Sequence, residues 1–112
     1  MGKTRNRIEV VPSSGNVFAD LGLPNAEEKQ TKARLAFAIN EIVRSQKLSQ
    51  AAAARRLDVN QPKISALRNY QLQGFSVERL MKFLTALDRD VEIVIHHKSQ
   101  RRKGGRILVT AA

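Results

Sequence analysis

The sequence predicts a mainly α-helical protein, a small bundle of about four to five helices followed by one β-strand. Three observations support this fold class. Apolar residues recur with helical spacing between residues 25 and 87. Residues suited to helix N-caps precede these apolar stretches. Near the C-terminus, residues 91–96 change to an alternating pattern rich in β-branched side chains, which is typical of a strand.

The first predicted helix follows Pro24 and ends near Gln46. Asn25 suits its N-cap, with Glu28 reaching back to form a variant of the capping box. Its apolar residues recur at positions i, i+4, i+7 and i+8, which places them on one face of a helix: Leu35, Ile39, Ile42 and Val43. We expect this face to pack against the rest of the bundle.

Residues 48–70 predict two short helices joined by a three-residue turn at residues 58–60. Ser49 suits the N-cap of the first helix, because its hydroxyl can accept a hydrogen bond from a free amide. Asn60 suits the N-cap of the second helix, whose first turn can hold Pro62 without losing a hydrogen bond. Two helices joined in this way form a helix-turn-helix, in which the second helix reads DNA.

The side chains of this segment fit the same arrangement. Two helices that cross steeply leave room for only a methyl group where they meet, and Ala54 stands there. Asp58 stands where the chain needs a positive φ, which Asp tolerates better than most residues. The predicted motif core is completed by Val59, Ile64 and Leu67, together with Ala53 and Leu57.

Counted from Gln50 as the first position, Ala54 is fifth, Asp58 ninth and Ile64 fifteenth. The segment resembles the helix-turn-helix of the phage-repressor type (Cro/XRE-like), which has a small residue, a glycine and a branched aliphatic residue at these positions. The departure is Asp58 in place of glycine. The resemblance implies a lambda-repressor-like bundle that binds double-stranded DNA.

Beyond the motif, Gly74 lies in a loop and Ser76 suits the N-cap of a further helix. The apolar residues of that helix share one face: Val77, Leu80, Met81, Leu84 and Leu87. We expect these residues to form the core against which the two helices of the motif pack.

The predicted strand, residues 91–96, places Val91, Ile93 and Ile95 on one face. A single strand cannot satisfy its own backbone hydrogen bonds, so it needs a partner. The candidates are Ile8–Val11, Ile107–Thr110, or the same strand of a second subunit. We favour the second subunit, because a reading helix usually acts within a two-fold dimer.

Charge is concentrated in three segments of a chain whose net charge is +10. Residues 1–11 and residues 48–70 are both basic overall, and residues 98–112 hold five basic residues and no acidic one. Positive charge on the motif and on both ends favours a partner rich in phosphate. Residues 98–112 are either a disordered basic tail or, if Ile107–Thr110 folds back on the strand, a basic hairpin.

Several other classes of protein are disfavoured. There is no cysteine, which excludes disulfides and suits a reducing cytoplasm. No apolar run has transmembrane length, so we expect no membrane association. The only histidines, His96 and His97, would point to opposite faces of a strand and make a poor metal site. With no nucleophile motif, no paired acids and no phosphate loop, we expect neither enzymatic activity nor a cofactor.

The motif predicts which side chains contact DNA, with the N-terminus of its second helix entering the major groove. Candidates for reading bases are Gln61, Lys63, Ser65 and Ala66, of which Gln61 is the first choice because Gln can bind adenine through two hydrogen bonds. Lys63 can approach either guanine or a phosphate, and the sequence does not decide between them. Candidates for phosphate contacts are Gln50, Arg56, Asn60, Arg68 and Asn69.

The order of segments over about residues 16–96 also resembles the XRE-family antitoxins of the HigA type. The resemblance rests on the stretch Asn16–Pro24, on the helix-turn-helix, on Gly74-Phe75-Ser76, and on residues 85–94. It implies a bacterial, nucleoid-associated homodimer that represses its own operon and neutralises a RelE/HigB-like toxin. Two alternatives stay open, a stand-alone XRE-family regulator without a toxin and a basic RNA-associated protein.

The predicted organisation therefore has three parts. Residues 1–24 are an N-terminal arm whose apolar side chains, such as Phe18 and Leu21, could order on a protein partner or pack on the domain itself. Residues 25–97 are the DNA-binding domain, including the dimerising strand. Residues 98–112 are the basic tail or hairpin.

Overall fold

The computed structural model describes residues 25–111, and within this range it contains four helices. They are α1 (Ala26–Ser45), α2 (Gln50–Leu57), α3 (Gln61–Arg68) and α4 (Val77–Ala86). The prediction of a mainly helical bundle is confirmed. The predicted N-terminal arm, residues 1–24, lies outside the described residues.

Three of the helices begin at the N-caps that the sequence predicts. The Ser49 hydroxyl accepts from the Ala52 N–H, the Asn60 side chain from the Lys63 N–H, and the Ser76 hydroxyl from the Arg79 N–H, each at 3.0 Å. Each cap satisfies an amide that the helix itself leaves free and contributes about 1 kcal/mol. These caps define the starts of α2, α3 and α4.

The start of α1 differs from the prediction. Asn25 precedes the helix with φ 54° and makes no side-chain capping hydrogen bond. The Glu28 carboxylate does not reach back, since it pairs with Lys32 one turn further along the helix at 3.4 Å. In this left-handed conformation Asn25 contributes its backbone carbonyl, which accepts from the Lys29 N–H at 3.0 Å.

The core lies where α1 and α4 pack against each other and against the α2–α3 pair. Its fully buried side chains include Ile39 of α1, Leu67 of α3 and Leu80 of α4. Phe75 and Phe83 extend this core with an edge-to-face contact, their ring centres 5.9 Å apart and their planes at 76°. The predicted helical stripes therefore face one common core.

The segment after α4 has no regular secondary structure, and residues 25–111 contain no strand. Ile93 is 74% exposed and Ile95 is 92% exposed. The dimerising strand at residues 91–96 needs a second chain, so it stays a prediction. One of its alternative partners, Ile8–Val11, lies outside the described residues.

The other alternative, Ile107–Thr110 folding back on residues 91–96, is not the arrangement found. These residues lie instead along α1. The Arg34 guanidinium donates to the Val109 carbonyl at 3.3 Å, and the Ile107 N–H donates to the Glu27 carboxylate at 2.6 Å. Val109 also packs against the core. Residues 107–109 thus have polar and apolar partners on α1 and in the core, and the basic tail or hairpin at residues 98–112 stays a prediction.

Candidate DNA-binding surface

The turn between α2 and α3 depends on one residue with an unusual backbone conformation. Asp58 has φ 58° and ψ 49°, the left-handed region that the sequence predicts for this position. The chain then reverses with two hydrogen bonds, from the Asp58 N–H to the Arg55 carbonyl at 3.3 Å and from the Val59 N–H to the Ala54 carbonyl at 3.0 Å. These bonds satisfy carbonyls at the end of α2 and set the angle at which α3 begins.

The two helices are held together by small and branched side chains. Ala54 is 6% exposed, and Ile64 and Leu67 are each 2% exposed. Val59 is half-buried and packs against the same core. The inner faces of α2 and α3 are thus fully used in packing, which leaves the outer face of α3 for a ligand.

The residues predicted to read bases lie on α3 but differ in exposure. Gln61 is exposed at the first position of the helix, while Ser65 and Ala66 are half-buried. Ala66 packs in part against the core, so only part of its surface is open to a ligand. Gln61 therefore has the greatest freedom to contact a base edge.

Lys63 makes contacts that the sequence did not suggest. Its ammonium donates to the Gly74 carbonyl at 3.3 Å and lies 4.8 Å from the centre of the Phe75 ring. The side chain is half-buried between α3 and the loop that precedes α4. A contact with DNA would require the ammonium to leave both partners.

The predicted phosphate contacts also separate into two groups. Arg68 is exposed, and no ion pair of its side chain occurs among the described residues. Gln50 is half-buried at the first position of α2. Both side chains remain available to a phosphate.

The other three candidates already hold the fold together. Asn60 caps α3, and the Asn69 amide donates to the Ser65 carbonyl at 2.9 Å. The Arg56 guanidinium donates to the Ala86 carbonyl at 3.3 Å and lies 3.6 Å from the Asp88 carboxylate, at the end of α4. Arg56 therefore stabilises the contact between α2 and α4.

A basic cleft of about 470 Å³ lies beside the motif. It is formed where the end of α1, the start of α2 and the end of α3 meet. Its cations are Arg44, Lys47 and Arg68, and its only acid, Glu41, is paired with Arg44. The cleft therefore has an excess of positive charge, as expected of a site for a phosphate.

Two residues of the basic cleft have a positive φ, Lys47 at 56° and Tyr70 at 58°. Each follows the end of a helix, and the left-handed turn lets the next amide bond back to that helix, from Leu48 to the Val43 carbonyl at 3.1 Å and from Gln71 to the Ala66 carbonyl at 2.9 Å. Of the residues that line the cleft, only Arg68 was predicted to contact a phosphate, and Arg44, Lys47 and Tyr70 were missed. Their separation in the sequence, on two sides of the motif, gave no signal that they meet.

Comparison with known proteins agrees with this geometry. The family model of a helix-turn-helix domain matches residues 17–96. A solved structure named as an XRE family transcriptional regulator is 64% identical, with a TM-score of 0.76, over 80% of this chain and 100% of its own. The chain belongs to the XRE helix-turn-helix family. No curated protein matches the chain.

Within this XRE-family domain, one polar residue of α1 contributes to the site although the sequence did not point to it. The Asn40 amide donates to the Leu67 carbonyl, in the last turn of α3, at 3.2 Å. Asn40 also lines the basic cleft. The sequence places Asn40 next to Ile39 of the apolar face of α1, which could have marked it as an unusual polar residue. Its partner, the Leu67 carbonyl, could not have been predicted, because it comes from a different helix.

Within residues 25–111 of this XRE-family protein, no helix is long and apolar enough to span a membrane. No group of three or more His, Cys, Asp or Glu side chains in that range could hold a metal ion.

Proposed function

We propose that this XRE-family DNA-binding regulator is a sequence-specific repressor that places α3 in the major groove of its operator. The observation that carries the proposal is the geometry of the α2–α3 pair. Its caps, its left-handed turn and its buried Ala54 hold α3 rigidly while Gln61 stays exposed at the end that would enter the groove.

Base reading is assigned first to Gln61, which can bind adenine through both its amide oxygen and its amide nitrogen. Ser65 and Ala66 are one and nearly one and a half turns further along α3, with Ala66 offering its methyl group to a thymine. Lys63 shares this end of α3, but its ammonium has partners within the protein. The proposal therefore depends on Gln61 above the other three.

Phosphate contacts are assigned to the basic cleft and to Gln50 beside it. The cleft lies next to α3, and its cations come from the ends of two helices: Arg44 from the last turn of α1, Lys47 from just after α1, and Arg68 from the end of α3. A DNA strand that passes over this cleft would release counterions, so binding should weaken strongly as salt increases. Contacts of this kind position the protein without reading sequence.

We propose further that the protein is a dimer joined through residues 91–96. This segment exposes its apolar side chains and has no backbone partner among residues 25–111. Pairing with the same segment of a second copy would bury Val91, Ile93 and Ile95 and satisfy the free backbone groups. A dimer would present two reading helices to a two-fold operator.

The finer role proposed is that of an antitoxin that represses its own operon and neutralises a RelE/HigB-like toxin. The resemblance of residues 16–96 to HigA-type antitoxins supports this role. A stand-alone regulator has the same DNA chemistry and no toxin, and is the second candidate. An RNA-associated role is the third and rests only on the basic segments.

The test is to express the protein from its native operon, purify it and add the eluate to the upstream promoter in a gel-shift assay. A stoichiometric small partner and a specific shift would support the antitoxin-repressor. A specific shift without a partner would indicate the stand-alone regulator. No shift would overturn the proposed function, and equal affinity for structured RNA would favour the third candidate.

A further inference from the structure

Lys63 occupies a position from which a side chain could reach DNA, yet it is directed into the protein. It is the third residue of α3, and its backbone N–H is bound by the cap residue Asn60 at 3.0 Å. Its ammonium is 3.3 Å from the Gly74 carbonyl and 4.8 Å from the Phe75 ring centre. The first turn of α3 is therefore connected to the loop before α4 by a side chain as well as by the chain itself.

The aromatic partner of this ammonium is a fixed part of the core. Phe75 is 2% exposed and contacts Phe83 edge to face. The Arg79 guanidinium lies 5.9 Å from the Phe75 ring and 5.6 Å from the Phe83 ring. The packing of Phe75 fixes the position of the ring that the ammonium contacts. Because Lys63 is half-buried, the cation–π attraction is stronger than it would be at a fully exposed site.

Gly74 provides the space that the ammonium occupies. A Cβ atom at residue 74 would lie 2.9 Å from the Lys63 Nζ, closer than carbon and nitrogen atoms normally approach. The backbone of Gly74 is outside the left-handed region, so glycine is not required there by its φ angle. A side chain at residue 74 would therefore require the Lys63 ammonium to move from its present position.

We infer that Lys63 is a positioning residue, which sets the angle of α3 relative to α4 and does not itself read a base. By holding the first turn of α3 against Gly74 and Phe75, it determines how Gln61 is presented to the groove. The inference rests on the proposed function, because it takes α3 as the reading helix. On this inference Lys63 makes no base contact of its own, and its loss affects every base contact that α3 makes.

The test uses three variants and a panel of operator duplexes in which each base pair is changed in turn. Lys63→Met keeps most of the side-chain length and removes the charge, and Lys63→Arg keeps the charge. Gly74→Ala keeps the lysine and displaces its ammonium. We expect Lys63→Met to bind every duplex of the panel about threefold to tenfold more weakly than wild type, with an unchanged preference at each base pair.

Gly74→Ala should shift affinity in the same direction, although its lysine is intact, while Lys63→Arg should stay close to wild type. The salt dependence of Lys63→Met should equal that of wild type, because no phosphate contact has been removed. Circular dichroism and thermal unfolding of each variant would establish that the loss is measured on folded protein.

Three results would overturn the inference. Loss of preference at a single base pair in Lys63→Met would show that Lys63 reads a base. A salt slope reduced by about one charge per subunit would show that it contacts a phosphate. Wild-type affinity in Gly74→Ala, together with a loss in Lys63→Met, would show that the contact with Gly74 has no effect on binding. Failure of the proposed function is distinct, because wild-type protein would then show no preference among the duplexes.

Discussion

The Asn40 amide donates to the Leu67 carbonyl across 3.2 Å and so connects the middle of α1 to the last turn of the reading helix. Leu67 is buried, and its carbonyl also accepts from the Tyr70 N–H at 3.2 Å. The Asn40 amide is thus a second donor to this carbonyl, and it holds α3 at the end opposite to Lys63. The reading helix is thus held at both ends by polar side chains.

Replacing Asn40 by Ala should lower the free energy of unfolding by about 0.5–1.5 kcal/mol, because the Leu67 carbonyl loses one of its two donors. Urea denaturation followed by circular dichroism would measure the change. Glu41→Ala is the control, because it changes the next residue of α1 and removes only an ion pair at the surface. Equal small losses in both variants would contradict the assigned role of Asn40.

Gln61→Ala should weaken binding to the operator by about 1–3 kcal/mol and leave binding to random duplex nearly unchanged, because Gln61 is assigned to a base edge. Fluorescence anisotropy with both duplexes at one salt concentration would measure the two affinities. The exposure of Gln61 means that the substitution should not alter thermal stability appreciably. An equal loss on both duplexes would remove Gln61 from base reading.

Arg68→Ala and Lys47→Ala should each weaken binding to all duplexes and reduce the salt dependence by about one charge per subunit. The measurement is affinity at several salt concentrations, plotted as logarithms. Lys82→Ala is the matched control, since Lys82 lies on α4, is paired with Glu78 and is not part of the basic cleft. A slope that changes equally in all three variants would reflect net charge alone and would remove the cleft from the DNA-binding surface.

Ile93→Glu should convert the dimer to a monomer without unfolding it, because the side chain is 74% exposed in the single chain. Light scattering coupled to size-exclusion chromatography would measure the mass. Val94→Glu is the control, because Val94 is also exposed but faces the other side of an extended strand. A dimer that survives Ile93→Glu as well as it survives Val94→Glu would place the interface elsewhere.

Asp58→Gly should raise the free energy of unfolding by a few tenths to about 1 kcal/mol, because glycine adopts a positive φ without the strain that a Cβ causes. Asp58→Ala should lower it, since Ala is less tolerant of this conformation than Asp. Thermal unfolding of the three proteins in the absence of DNA would rank them. The reverse order would mean that the Asp58 side chain stabilises the turn in a way that its backbone conformation does not explain.

The features predicted correctly from the sequence depend on short-range relationships. The caps of α2, α3 and α4 bind amides three residues away, and the left-handed turn at Asp58 follows from the helices on either side of it. Such features are determined by neighbouring residues and need no knowledge of the tertiary structure.

The features that were missed depend on contacts between distant residues. The Ile107 N–H and the Glu27 carboxylate are 80 residues apart in the chain, and the Lys63 ammonium meets a carbonyl from the next loop. A polar side chain on a helix surface has many orientations of similar energy, so its partner is decided by the packing around it. The sequence therefore predicted which residues lie on α3 but not which of them are already engaged.

The separation between the buried core and the exposed residues 91–95 has a consequence for regulation. The buried apolar residues run from Leu35 to Leu87 in the sequence and all belong to one chain. We therefore expect one chain to fold without the second subunit of the dimer. Association through residues 91–95 would then be an equilibrium of folded monomers. Below the dissociation constant of that equilibrium, the concentration of dimer rises with the square of the concentration of protein. Doubling the concentration of protein would therefore raise the concentration of dimer available to a two-fold operator about fourfold.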